Sequence, residues 1–160
     1  VYDLELPDPI TDYYCFGVGC PCGNDSIFEG CANSTGVGAV MSATGTTSVA
    51  LDDIVMTTQF APPNEAGLFY MGTGQSGVPF GDGLRCVSGF TFRFYPPMNS
   101  GPAGEFTLGP GIVATACAVG PASCIAVSET WNFQTWYRDP SGPCGSGFNL
   151  SNAISVTFTP

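Results

Sequence analysis

Eight cysteines in a chain that contains neither lysine nor histidine set the strongest limit on what this sequence can fold into. A closed zinc site needs four thiolate or imidazole ligands. Cys20-Pro21-Cys22 and the later Cys31 have no second C-x-x-C pair and no histidine to complete such a set. Oxidation to four disulfides is the alternative, and it places Cys15, Cys20, Cys22, Cys31, Cys86, Cys117, Cys124 and Cys144 outside the reducing cytosol. Eight cysteines allow about a hundred pairings. The sequence singles out one of them, Cys117 with Cys124, across the turn-forming Val119-Gly120-Pro121-Ala122-Ser123 segment.

The rest of the composition points the same way. At 160 residues the chain is one domain long and can bury a real core, roughly 70% of the surface its unfolded form exposes. Gly (22) and Pro (14) are abundant while only 10% of residues are charged, so long helices with charged solvent faces are unavailable. Three arginines face thirteen carboxylates for a net charge of -10, which excludes a nucleic-acid binder and disfavours an anionic membrane surface. No apolar run reaches the ~18 residues of a spanning helix, so membrane insertion is not expected. No basic or apolar leader precedes Val1, and for an exported chain the expectation is a signal already removed.

Strand signals recur along the chain. Val1 to Pro7 alternates Tyr2, Leu4 and Leu6 with Asp3 and Glu5, and Pro7 and Pro9 then break any ladder. This segment reads as a strand on a Pro-rich arm. Asp12 to Thr35 is a disulfide-stapled knot of loops. Val37 to Ala43 and Ser48 to Phe60 read as a hairpin turning at Thr44-Gly45, and Gly67 to Gly72 as a buried strand. Residues 72 to 83 read as a glycine-rich loop. Leu84 to Tyr95 is a strand with Phe90, Phe92 and Phe94 on one face. Glu129 to Tyr137 puts Trp131, Phe133 and Tyr137 on one side and Asn132, Gln134 and Trp136 on the other, and Ala153 to Thr159 points Ile154, Val156 and Phe158 inward. Roughly seven to nine short strands with little or no helix predict an all-β, disulfide-stapled antiparallel β-sandwich, Ig-like or jelly-roll. Residues 15–160 would form the sandwich and residues 1–14 an N-terminal extension.

Six motifs in fixed order carry a family likeness: Cys15-Phe16-Gly17, Cys20-Pro-Cys-Gly-Asn24, Gly30-Cys-Ala-Asn-Ser34, Phe80-Gly-Asp-Gly-Leu-Arg-Cys86, Trp136-Tyr-Arg-Asp-Pro140 and Cys144-Gly-Ser-Gly-Phe-Asn-Leu-Ser-Asn-Ala153. From Cys15 onward the chain resembles a family of secreted, cysteine- and glycine-rich bacterial domains of unknown function. The resemblance implies export and the β fold but names no activity, and Cys117 and Cys124 look like additions to its usual six cysteines. Residues 1–14 lie ahead of it. Their layout resembles the N-terminal arms of pilins that polymerise by donor-strand exchange.

Candidate sites are few. With no histidine or lysine there is no ordinary base for a nucleophile, and carboxylate chemistry would fall to Asp52, Asp53, Glu129 and Asp139. Each reads more simply as a turn former, a wet-face residue or, for Asp139, a partner of Arg138 or Arg85. Asp52-Asp53 and Asp82-Gly83 offer oxygen to calcium but lack a D-x-D-x-D-G loop. Neither catalysis nor a cofactor is expected. Tyr70, Trp136 and Tyr137 are the candidates for a glycan platform, with Trp136 the one to find exposed. Asn24, Asn33 and Asn149 head N-x-[ST] triplets and are possible glycosylation sites, although Asn33 and Asn149 also suit turns.

The resulting expectation is a structural subunit of an extracellular, cell-surface fibre. Its partners are copies of itself, linked when Tyr2, Leu4 and Leu6 insert into a neighbour. Burial of these three side chains gives about 4 to 9 kcal/mol gross, before ordering costs. The alternative is a secreted glycan-binding or adhesion module whose first strand folds into its own domain.

Overall fold

The alternating stretches pair into two antiparallel sheets. The computed structural model describes residues 12–160, and it contains β1 (Asp12–Tyr14), β2 (Val40–Thr44), β3 (Val55–Gln59), β4 (Ala66–Phe80), β5 (Gly83–Arg93), β6 (Met98–Asn99), β7 (Phe106–Leu108), α1 (Ile112–Val119), β8 (Thr130–Asp139) and β9 (Gly147–Thr157). The larger sheet runs β1-β9-β8-β4-β5 with β6 beside β4, and the smaller runs β2-β3-β7. Trp131, Phe133 and Tyr137 of β8, Ile154 and Val156 of β9, and Phe69 and Met71 of β4 pack inward against Met41, Met56 and Phe106 of the small sheet. The molecule is thus the expected all-β sandwich, stapled by Cys15–Cys86, Cys20–Cys31, Cys22–Cys144 and Cys117–Cys124.

Of the segment 1–14, Asp12–Tyr14 is strand β1, paired with β9 from Asp12 opposite Ser155 to Tyr14 opposite Ala153. Tyr2, Leu4 and Leu6 lie outside the described residues. The hairpin expected to turn at Thr44-Gly45 is wider, because β3 begins only at Val55. The intervening chain bridges to the end of β9's extension, where Val49 N–H donates to the Thr159 carbonyl, and then delivers Asp52 to α1. Asp52 accepts from the N–H groups of Val113 (2.8 Å) and Ala114 (3.0 Å), supplying from 61 and 62 residues away the cap that Gly111 lacks.

The free edge of β2 is closed by side chains. Met41 N–H donates to Asn152 Oδ1 (2.7 Å), Asn152 Nδ2 donates to the Met41 carbonyl (3.2 Å), and Ala43 N–H donates to the Tyr13 hydroxyl (3.2 Å). An edge whose amides are already bonded offers little template for another strand.

Residues 72 to 83 correct the loop expectation, since most of them extend β4 to Phe80. Through Gly72 the strand pairs with both β8 and β5; beyond it, only with β5, across register shifts at Gly72/Gly74 and Gln75/Val78. At the bend the strands nearly touch. A Cβ on Gly72 would sit 2.6 Å from the Ser88 carbonyl oxygen, and Gly89 holds a φ of 74°, so glycine is required at both. The β4–β5 hairpin therefore folds back across the outer face of β8 and β9. There Gln134, on the outward face of β8, accepts from Cys86 N–H (3.0 Å) and the Tyr70 hydroxyl and donates to the Leu84 (2.9 Å) and Ser151 (2.7 Å) carbonyls. The Cys15–Cys86 bridge and the Tyr14 hydroxyl, bonded to the Cys86 carbonyl at 2.9 Å, hold the same point from β1. A second, smaller core of Tyr70, Leu84, Cys86, Val87, Leu150 and Ala153 forms beneath.

Gln134→Leu keeps the volume but leaves two carbonyls, an amide and a phenol unpaired. It is expected to lower the unfolding free energy by about 2 to 5 kcal/mol in urea titration, with all four disulfides still formed.

Candidate functional site

Where the folded-back hairpin arches away from the large sheet it leaves a cleft of about 480 Å³. Its floor is the outer face of the sheet, with Leu68 and Tyr70 from β4, Trp136 from β8, and Phe148 and Leu150 from β9; its rim is Phe80, Arg85, Thr91, Arg93, Tyr95 and Pro97. The volume and the apolar floor with a few polar groups at the mouth are those of a ligand site. Phe148 on the floor meets one aromatic ring of the rim and one of the floor. Phe148 stands 5.0 Å from Phe80 in a T-shaped pair and 5.7 Å from Trp136.

The cleft also gathers the positive charge of the chain. Arg85 and Arg93 lie on its rim, and the Arg138 guanidinium sits 5.8 Å over the Trp136 ring. These are all three basic residues of a molecule with net charge -10. Among the described residues their partners are a carbonyl, a phenol and an indole face: Arg85 Nε donates to Val87 O (3.1 Å) and Arg93 Nη1 to the Tyr95 hydroxyl (3.4 Å). No carboxylate is among them. Asp139, read as an arginine partner, points the other way because neighbours on a strand face opposite sides. It is fully buried, accepts from Ser34 N–H (2.9 Å), and its Oδ1 has no partner.

The remaining candidates are distributed. Of the glycan platform, Tyr70 and Trp136 line the cleft, while Tyr137 is buried in the main core. Asp53 accepts from the Thr46 hydroxyl and N–H, which hold its carboxyl below the usual range, and Glu129 accepts from Trp131 Nε1 (2.9 Å). Asp52 is the helix cap described above. Asp82 is fully buried and accepts from the Ser146 and Cys144 N–H groups. No group of three or more acidic, histidine or cysteine side chains among the described residues is placed to hold a metal ion.

The three N-x-[ST] asparagines are internal anchors. Asn24 Nδ2 donates to the Ala32 and Asp82 carbonyls, Asn33 Nδ2 to the Phe60 carbonyl and the Tyr137 hydroxyl, and Asn149 Nδ2 to the Cys31 and Ala32 carbonyls. A glycan on any of these nitrogens would displace one of the two bonds that hold it, and Asn33 and Asn149 are buried besides. The motifs containing these residues thus tie the stapled loop 15–38 to the hairpin tip and to β9.

Sequence reasoning found Trp136 and passed over the arginines. A signal existed: Trp136 and Arg138 are two apart on one strand and so share a face, and Arg85 and Arg93 bracket the aromatic stretch of β5. No family model, curated protein or solved structure matches the chain significantly, so the cleft is read from its own geometry.

Burial raises the phenols of Tyr70, Tyr14 and Tyr137 well above the ordinary value, for Tyr70 against the pull of Arg85. A raised folded value leaves the stabilising contribution intact below the unfolded pKa of about 10 and removes it as pH climbs through the raised range. Absorbance titration at alkaline pH is expected to show these three phenols ionising only as the protein unfolds.

Proposed function

We propose that the chain is a structural subunit of an extracellular assembly, linked to copies of itself through its N-terminal segment, and that it belongs to the secreted bacterial domain family its motifs resemble. One observation carries this reading. The described residues already bond much of the edge that an added strand would use: β1 pairs with β9 from Ala153 to Ser155, Asn152 and Tyr13 bond the β2 edge, and the main core is filled by side chains of the described residues. The alternating segment Tyr2-Asp3-Leu4-Glu5-Leu6 carries the strand pattern that such a link needs. Four disulfides and buried polar anchors suit a protein that must persist in an oxidising environment without assisted refolding.

The glycan-binding reading is favoured by a different observation, the half-buried Trp136 beside Phe148 with Arg93 and Tyr95 at the mouth. Under that reading Trp136→Ala abolishes retention on a polysaccharide column and leaves oligomeric state unchanged.

Removing residues 1–11 separates the two. The subunit reading predicts a folded protein with four disulfides and an unchanged urea midpoint that stays monomeric in sedimentation velocity; assembly at the level of the full chain would refute it.

A further inference from the structure

We infer that the arginine-rimmed cleft is the acceptor for the N-terminal segment, residues 1–7, of a second copy of this chain. The inference rests on the reading of the chain as a self-linking subunit and names the surface that does the linking.

Charge is the first argument. Of the chain's three basic side chains Arg85 and Arg93 line the cleft and Arg138 lies over the ring of Trp136, and the partners found for them among the described residues include no carboxylate. In so acidic a molecule most surfaces repel an acidic segment, and this cleft is the place that attracts one. Asp3 and Glu5 supply two carboxylates of the kind that guanidinium groups grip in bidentate pairs.

Patterning is the second. In an extended segment Asp3 and Glu5 face one way and Tyr2, Leu4 and Leu6 the other. The cleft has the matching two sides, an apolar floor of Leu68, Trp136 and Phe148 beneath a rim bearing Arg85 and Arg93. A strand lying along it sets its apolar side chains on the floor and its carboxylates at the rim.

A second copy is the source of the segment under the self-linking reading, with the acceptor floor formed by Leu150 and Phe148 of β9 beside Leu68 and Trp136.

Charge reversal in two complementary full-length variants tests this. Arg85→Glu/Arg93→Glu spoils the acceptor and keeps the arm; Asp3→Arg/Glu5→Arg spoils the arm and keeps the acceptor. Each alone is expected to raise the critical concentration for assembly at least about tenfold by light scattering. Mixed in equal amounts they are expected to co-assemble, because each arm then meets a cleft of opposite charge. Intact mass with four disulfides and an unchanged far-UV spectrum establish that both variants fold. If the arginine variant assembles like the parent while removal of residues 1–11 abolishes assembly, the acceptor lies elsewhere and the subunit reading stands. If removal of residues 1–11 has no effect, the subunit reading itself falls. Two folded variants that fail to co-assemble would overturn the pairing. So would a cleft that binds polygalacturonate through Arg85 and Arg93 without any change in assembly, which would make it a site for acidic glycans.

Discussion

The fold-back of the β4–β5 hairpin is the constraint on which the rest of the structure depends. A flat hairpin would extend the large sheet by an edge and leave the outer face of β8 and β9 in water. Glycines at 72, 74 and 89 permit the bend, and Gln134 fixes its outcome by meeting four groups on β4, β5 and β9 with its one amide. A buried amide with every donor and acceptor used specifies position as well as stability, since any displacement of the hairpin breaks several bonds together. The second core, the cleft and the placement of Arg85 follow from that geometry.

The same logic explains the disulfide frame. Cys15–Cys86 ties β1 to the hairpin across 71 residues, and Cys22–Cys144 ties the stapled loop to the approach to β9 across 122. Long loops of this kind remove the most entropy from the unfolded chain, about 4.5 to 5 kcal/mol each in the chain-entropy view. Hydrogen bonds from Asn24, Asp82 and Asn149 bind the same three regions. The motifs that contain these residues weld the loop 15–38, the hairpin tip and β9 into one unit.

Much of the fold was legible because strand alternation reports burial directly. The period of two alone points Trp131, Phe133, Tyr137, Ile154 and Val156 inward, where they lie, and the cysteine chemistry alone calls for oxidation. What escaped was everything decided by a bend. Residues 72–83 look like a loop because their glycines are there to curve a strand, and Asn132 and Gln134 look solvent-facing because nothing local announces that another hairpin covers them. Asp52 gives no local hint that it caps a helix 61 residues away. The cleft is half legible: Trp136 stands out, whereas Asp139 reads as a partner of Arg138 or Arg85 although the pleat turns it to the side opposite Arg138.

In the proposed assembly the acidic, alternating segment of one subunit complements the cationic aromatic cleft of the next. A density map of the assembled native material at side-chain resolution tests this most directly. The expected map has residues 1–7 of one subunit running through the cleft of another, with Asp3 and Glu5 beside Arg85 and Arg93 and the apolar side chains on Trp136 and Phe148. Density that instead continues β1 along β9 of its own subunit, with the clefts empty, would contradict it.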